Sequence, residues 1–198
     1  MAHNRVEWVP PEPRSGLIGA WDKFVGPGVT DTEQWLMLIP TVIAGLAAPV
    51  YAIYADLGWS TVQLLVAALV AFDLVGGVVT NATATAKRWY HRPEATFRDH
   101  VQFVAVHFLH PLLVGWLFWG GDWLYVAVVY GYLLLAAVLI LKTPLYLQRP
   151  LAYTLYLLSL LLALYTLPQP PGLEWFLPIF YFKLLVSHLV TEAPFAPE

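Results

Sequence analysis

The sequence predicts an all-α, polytopic integral membrane protein, a bundle of six transmembrane helices with both termini in the cytoplasm. Two observations predict this fold class: the apolar composition and the distribution of charge between the loops. Of 198 residues, 59% are hydrophobic and only 12% are charged, which is too apolar for a soluble globular chain of this size. A helix needs roughly 20 mainly apolar residues to cross a bilayer. The stretches that approach or reach this length are 35–55, 61–82, 101–120, 123–142, 150–167 and 174–191.

The basic residues lie on one side of this six-helix arrangement. They precede the first span, separate the second span from the third, and flank the turn between the fourth and the fifth: Arg5, Arg14, Lys23, Lys87, Arg88, Arg92, Arg98, Lys142 and Arg149. The charges in the loops on the other side are all acidic: Asp56, Asp122 and Glu174. By the positive-inside rule, the basic side faces the cytoplasm. The sequence therefore predicts a multi-pass protein of a bacterial or archaeal inner membrane.

Residues 1–34 are predicted to form a cytoplasmic arm rather than a domain. Apolar residues at 17–25 recur at helical spacing opposite charged ones, which indicates a short amphipathic helix in the membrane interface. Thr30 then opens a capping-box pattern at the start of the first span. The transmembrane domain is expected to cover 35–192, and a short tail, 193–198, follows it.

The spans differ in polarity. The first contains Pro40 and Pro49 and is expected to be kinked. The fourth and fifth have no charge in their interiors and are predicted to pack as walls of the bundle. Because the chain has no cysteine, it has no disulfide, thiolate metal site or thiol nucleophile. The second span has one polar face with residues at i, i+3, i+4 and i+7: Asp73, Gly76, Gly77 and Thr80.

Ionisable residues occur at similar depths in three spans. At about 1.5 Å of rise per residue, Asp73, His110 and Lys183 lie near the midplane. His107 and His188 lie roughly 5–8 Å nearer the cytoplasm by the same rise. Such side chains are costly in hydrocarbon and usually mark a pathway, a cofactor or a reaction centre. If the second, third and sixth spans are neighbours, these groups share one cavity that opens to the cytoplasm.

The histidines predict a metal centre. His107 and His110 are separated by about 60° around their helix, so both imidazoles can bind one ion. His188 and Asp73 would supply further ligands in a site suited to zinc or iron. Proton handling and hydrogen-bonded packing are the alternative roles for the histidines.

Two further residues are assigned catalytic roles around this centre. Lys183 would orient or neutralise an acidic substrate group, and His100, about two turns from His107, would relay protons. Asp73 and Lys183 also suit each other as a purely structural ion pair.

Substrate-binding groups are predicted at the cytoplasmic end of the second span and in the loop that follows it. Asn81 continues the polar face of the span, and Arg88 and Arg92 belong to a segment rich in cations and aromatic rings. Arginine can clamp a phosphate or a carboxylate, so these residues suit an anionic headgroup. The alternative is that both arginines only retain positive charge on the cytoplasmic side.

The leading functional hypothesis is a metal-dependent membrane enzyme, a hydrolase or an oxidoreductase. It would act on a lipid-like or hydrophobic substrate within the cytoplasmic half of the bilayer. The alternatives are a proton-coupled transporter or channel and a haem- or pigment-binding subunit, with His107 or His110 facing His188 across the haem. Membrane lipids are the expected partners, and a homo-oligomer is an open alternative. Nucleic-acid binding is not expected, because topology explains the basic residues.

Overall fold

The computed structural model describes residues 5–195, and every regular element in this range is a helix. An isolated antiparallel bridge between Val6 and Phe195 is the only β-type pairing in the described range. A 3₁₀ turn, Val106–Phe108, joins α5 to α6, and α9 continues as a π-helix, Phe182–His188. The helices are α1 (Gly16–Val25), α2 (Asp31–Tyr54), α3 (Thr61–Ala82), α4 (Ala84–Tyr90), α5 (Phe97–Ala105), α6 (Leu109–Phe118), α7 (Trp123–Lys142), α8 (Leu145–Tyr165) and α9 (Phe176–Tyr181).

Five helices are long and apolar enough to cross a membrane. They are α2, α3, α7, α8 and the continuous helix Phe97–Phe118, which is formed by α5, the 3₁₀ turn and α6. These findings agree with an all-helical, multi-pass membrane protein. The sixth predicted span corresponds to a shorter apolar helix, Phe176–His188, so six crossings stay a prediction. The tail predicted at 193–198 extends beyond the described residues.

Side-chain caps explain where several helices begin. Thr30 and Glu33 form the predicted capping box, in which the Glu33 backbone N–H donates to Thr30 Oγ1 at 3.2 Å. Thr96 caps α5 in the same way, so the third span begins at Phe97, four residues before its predicted start. Pro144 precedes α8, and this helix starts five residues earlier than predicted and contains Pro150. A proline this near the start of a helix interrupts few backbone hydrogen bonds.

The helix Phe176–His188 lies at the centre of the bundle. It packs against α3, α7 and α8, and nearly every residue in it is buried. α2 packs mainly against α3 and leaves much of its apolar surface exposed. A Cβ atom at Gly76 would lie 2.7 Å from Thr41 Oγ1, so this glycine permits the close approach of α2 and α3.

Both ends of the described chain meet at one end of the bundle, here called the terminal end. The Glu7 backbone N–H donates to the Pro194 carbonyl at 3.0 Å beside the bridge between Val6 and Phe195. α1 lies at this end and contacts α4, because Tyr90 Oη donates to the Phe24 carbonyl at 2.8 Å. The arm and the short helix α4 therefore form one layer across the terminal end.

Candidate functional site

The largest group of predicted site residues lines one cavity of about 310 Å³ between α3, the helix Phe97–Phe118 and the helix Phe176–His188. We call it the Asp73 cavity. Predicted catalytic residues and metal ligands from three different helices form part of its wall. The rest of its surface is mainly apolar or aromatic. The lining residues are Phe24, Asp73, Gly77, Thr80, Asn81, Tyr90, Phe103, Val106, His107, His110 and Lys183.

One carboxylate oxygen joins three helices in this cavity. Lys183 Nζ and His110 Nε2 both donate to Asp73 Oδ2, at 2.5 Å and 2.8 Å. The Lys183 side chain is only 4% exposed, whereas the Asp73 side chain is 41% exposed. Because both bonds reach Oδ2, the second carboxylate oxygen is available to a molecule in the cavity. The structure thus contains the ion pair between Asp73 and Lys183 and adds His110 to it.

Gly77 makes room for the lysine. A Cβ atom at this position would overlap Lys183 Cε and lie 2.8 Å from Lys183 Nζ. Gly77 is four residues after Asp73 on α3, so it lies one turn away on the same face. The side chain of Lys183 therefore crosses α3 at Gly77 to reach Asp73.

His107 presents a proton-accepting nitrogen. Its Nδ1 lies 2.7 Å from the Phe103 carbonyl oxygen and must carry the proton to make this bond. In the neutral ring, Nε2 then holds the lone pair, and His107 lines the cavity. The ring also stacks on His110, with centroids 5.3 Å apart and planes inclined by 19°.

A second histidine cluster lies nearer the terminal end and consists of His91, His100 and His188. His91 Nε2 donates to the His188 carbonyl at 2.8 Å, and Thr191 Oγ1 lies 3.1 Å from His91 Nδ1. Burial, together with the nearby Lys87 cation, lowers the pKa of His91 to about 3, so this imidazole is neutral at pH 7.

The other two histidines of this cluster contact each other and an aromatic ring. His100 Nδ1 and His188 Nε2 are 3.4 Å apart, at the long end of hydrogen-bond distances. One of the two nitrogens donates and the other accepts, depending on the tautomers. The Phe103 ring stacks on the His188 ring with centroids 3.7 Å apart and planes inclined by 12°. His188 Nδ1 is buried without a hydrogen-bond partner.

The four predicted metal ligands are not brought together. His107, His110 and Asp73 line the Asp73 cavity, but His188 belongs to the second cluster and is covered by Phe103. Asp73 Oδ2 is already occupied by two donors. Within residues 5–195, no group of three or more histidine, cysteine, aspartate or glutamate side chains is arranged to hold a metal ion. The predicted metal centre is therefore not shown, since sequence spacing gives the depth of a residue but not the rotation of its helix.

The other predicted site residues fall in four places. Asn81 lines the Asp73 cavity, whereas His100 lies in the second cluster. Arg88 pairs with Glu7, Nη1 to Oε2 at 3.6 Å, and so contacts the N-terminal arm. The Arg92 guanidinium lies 4.2 Å above the centre of the Trp89 ring. Neither arginine lines the Asp73 cavity.

Sequence reasoning missed the role of α4. The stretch 83–100 was expected to be a loop, but Thr83 Oγ1 accepts from the Ala86 backbone N–H and begins a helix of seven residues. This helix places Tyr90 in the cavity wall and Lys87 and His91 against the end of the Phe176–His188 helix. The spacing of Lys87, Tyr90 and His91 at i, i+3 and i+4 was the available signal.

Comparison with known proteins adds no family to this description. No family model, no curated protein and no solved structure matches the chain. The chemistry of the Asp73 cavity is therefore argued from its own residues.

Proposed function

We propose that the protein is a membrane-embedded enzyme that performs acid–base chemistry on a hydrophobic, lipid-like substrate in the Asp73 cavity. The observation that supports this most directly is the pairing of Lys183 and His110 with one oxygen of Asp73 inside an otherwise apolar cavity. Intramembrane ionisable groups that converge in this way are typical of functional sites. Asp73 and Lys183 balance each other's charge. The site therefore favours an uncharged polar group, such as an ester or an amide, on an apolar body.

Each polar residue has a distinct role in this proposal. His107 Nε2 accepts a proton from the attacking water or hydroxyl group and then gives it to the oxygen or nitrogen that leaves as the ester or amide bond breaks. Lys183 donates a hydrogen bond to the substrate oxygen that gains negative charge. Asp73 orients both His110 and Lys183. Asn81, at the edge of the cavity, provides an additional amide for the polar end of the substrate.

The terminal end offers an entrance from the membrane interface. Phe24 of α1 and Tyr90 of α4 line the cavity, and the two helices are joined by the hydrogen bond from Tyr90 Oη to the Phe24 carbonyl. α1 also exposes apolar side chains, since Leu17 is 91% exposed. An interfacial helix of this kind places the cavity at the level where a lipid head meets its chains. By the positive-inside rule we assign this end to the cytoplasm of a bacterial or archaeal inner membrane.

The proposal is tested by turnover of lipids in a reconstituted membrane. The purified chain is incubated in liposomes made from a total bacterial lipid extract, and mass spectrometry follows lipid species that disappear or appear with time. We expect Asp73→Asn to reduce turnover at least 100-fold, the scale of losing a positioned acid–base group. Asp56→Asn is the matched control, because Asp56 is exposed and lies beyond the C-terminal end of α2.

A third variant separates chemistry from folding. His107→Gln leaves the contacts among Asp73, His110 and Lys183 intact and should also abolish turnover without lowering the melting temperature. Equal turnover in wild type, Asp73→Asn and His107→Gln would refute the proposal. Proton flux into the liposomes without any lipid turnover would favour the proton-coupled transporter instead. The titratable groups that line one cavity, Asp73, His107, His110 and Lys183, are the observation in favour of that alternative.

The cofactor predictions are tested on the same preparation. Because the donor groups of His188 and Asp73 are not arranged around one point, we expect elemental analysis to find zinc and iron below one tenth of the protein concentration. We also expect no Soret band in the visible spectrum. Stoichiometric zinc or iron that is lost in a His107→Ala/His110→Ala variant would reinstate the metal-dependent enzyme. A Soret band would instead favour haem bound by His188 with His107 or His110.

A further inference from the structure

A second cavity, of about 370 Å³, lies beside other faces of the same helices. It shares no lining residue with the Asp73 cavity. Val79 on α3 and Phe182 and Val186 on the π-helix form much of its apolar wall, and Leu36 of α2 lies on its edge. Lys87, from α4, is its one lysine. We call this cavity the Lys87 groove.

The ammonium group of Lys87 is buried, and no carboxylate of residues 5–195 forms an ion pair with it. Lys87 is 3% exposed, and its Nζ donates to the carbonyls of Ser187 and Val190 at 2.6 Å and 2.5 Å. An ammonium group has three N–H donors, so these two carbonyls leave one donor unused. Within the described part of the chain, no carboxylate forms an ion pair with Lys87.

The acid nearest to this lysine is already neutralised. Glu192 also lines the groove, but its Oε1 accepts from Arg149 Nη2 at 2.9 Å. The groove therefore carries a net positive charge at Lys87. Burial lowers the pKa of the Lys87 ammonium to about 8, so the group is still mostly protonated at pH 7.

The groove is open towards the surface that five membrane-length helices present to lipid. Leu36 on α2 and Tyr153 on α8 both line the groove, and they are 61% and 46% exposed. Leu36 lies in the first two turns of α2, and Tyr153 is the ninth of the 21 residues of α8. A cation at the closed side and apolar walls at the open side match the two parts of an anionic amphiphile.

We propose that the Lys87 groove is a structural lipid site, which binds the phosphate headgroup of an anionic phospholipid at Lys87 and one of its acyl chains between α2 and α8. The lipid supplies the counter-charge that residues 5–195 do not place in an ion pair with Lys87. Basic pockets between transmembrane helices recognise anionic headgroups in this manner. This site does not depend on the Asp73 cavity, so the failure of one proposal leaves the other standing.

The test compares two lipids with the same acyl chains, of which one has an anionic and the other a zwitterionic headgroup. Native mass spectrometry of the full chain, released from detergent, measures binding of phosphatidylglycerol and phosphatidylcholine with identical acyl chains. We expect wild type to bind phosphatidylglycerol about tenfold more tightly, which corresponds to 1.4 kcal/mol. Lys87→Gln keeps a hydrogen-bond donor but loses the charge, and it should remove this preference. Lys142→Gln, an exposed lysine at the end of α7, is the matched control and should retain it.

A second variant guards against a folding defect in Lys87→Gln. Val79→Phe fills the apolar part of the groove and leaves the hydrogen bonds of Lys87 untouched, so it should also weaken phosphatidylglycerol binding at least fivefold. The proposal is overturned if the folded Val79→Phe protein binds this lipid as wild type does. It is equally overturned if inorganic phosphate alone competes fully with the lipid, because the groove would then bind a small anion without a chain.

Discussion

Asp73 is a structural connection as well as a chemical group, because its Oδ2 atom accepts from two other helices. The nearly inaccessible ammonium of Lys183 depends on it for a counter-charge. Removing one member of a buried ion pair typically costs about 3–5 kcal/mol, since the other charge remains buried alone. Stability and turnover therefore have to be measured separately for every variant at Asp73 or Lys183.

Gly77 gives a sharper prediction at the scale of single residues. Gly77→Ala should destabilise the protein by about 1–3 kcal/mol, because the new methyl group overlaps the Lys183 side chain that the ion pair holds in place. Gly131→Ala is the matched control on α7, where no atom lies within 4 Å of the added Cβ. It should stabilise the helix by about 0.5–1 kcal/mol. Thermal unfolding in detergent measures both, and an unchanged midpoint for Gly77→Ala would contradict the packing at this glycine.

The sequence predicted part of this residue-level arrangement. Helical rise alone placed Asp73, His110 and Lys183 at one depth, and the structure brings the three side chains together. The rise per residue gives the depth of a side chain in the bilayer, but it does not show which neighbouring side chains cover it. Phe103 covers His188 and keeps it from the Asp73 cavity, and no spacing rule anticipates that contact.

At the scale of elements, the π-helix Phe182–His188 changes how its residues are aligned. In an α-helix, Lys183 and His188 would differ by about 140° around the axis. In a π-helix, hydrogen bonds join residues i and i+5, so positions five apart lie nearly one above the other. Lys183 and His188 thus belong to successive layers on one side of the helix. The two polar clusters of the protein follow from this local change of winding.

α4 shows why elements near polar loops are hard to predict. With seven residues, α4 is too short to show a clear apolar period. Its cations are explained by the positive-inside rule whether or not the segment is helical. The helix forms because Thr83 caps its start and because Lys87 donates to two carbonyls at the end of the Phe176–His188 helix, those of Ser187 and Val190. Tertiary contacts from distant parts of the chain therefore decide its structure.

At the scale of the whole molecule, the composition predicted the helical membrane class, and five of six spans are found as membrane-length helices. The helix Phe176–His188 is shorter, and other helices surround it inside the bundle. An even number of crossings is nevertheless required if both chain ends meet at one face of a bilayer. The contact between Glu7 and Pro194 fits any even number of crossings, and six stays a prediction.

Reporter fusions test this topology. We expect a fluorescent protein to fold and fluoresce at either terminus, and alkaline phosphatase to be active only when inserted between Gly120 and Gly121, in the turn between α6 and α7. The basic residues of the terminal end are the physical reason for this orientation. Alkaline phosphatase activity at the C-terminus alone would indicate five crossings. Alkaline phosphatase activity at both termini would indicate that the bundle has the opposite orientation in the membrane.

Because the two ends of the described chain are in contact, the same helices can be connected in a different order. Because the backbone of Glu7 is hydrogen-bonded to that of Pro194, a short peptide linker suffices to join residues on either side of this contact. New ends opened between Gly120 and Gly121 would then give a circular permutant that begins with α7. Such a permutant contains every helix contact of the parent protein, although the helices leave the ribosome in a different order.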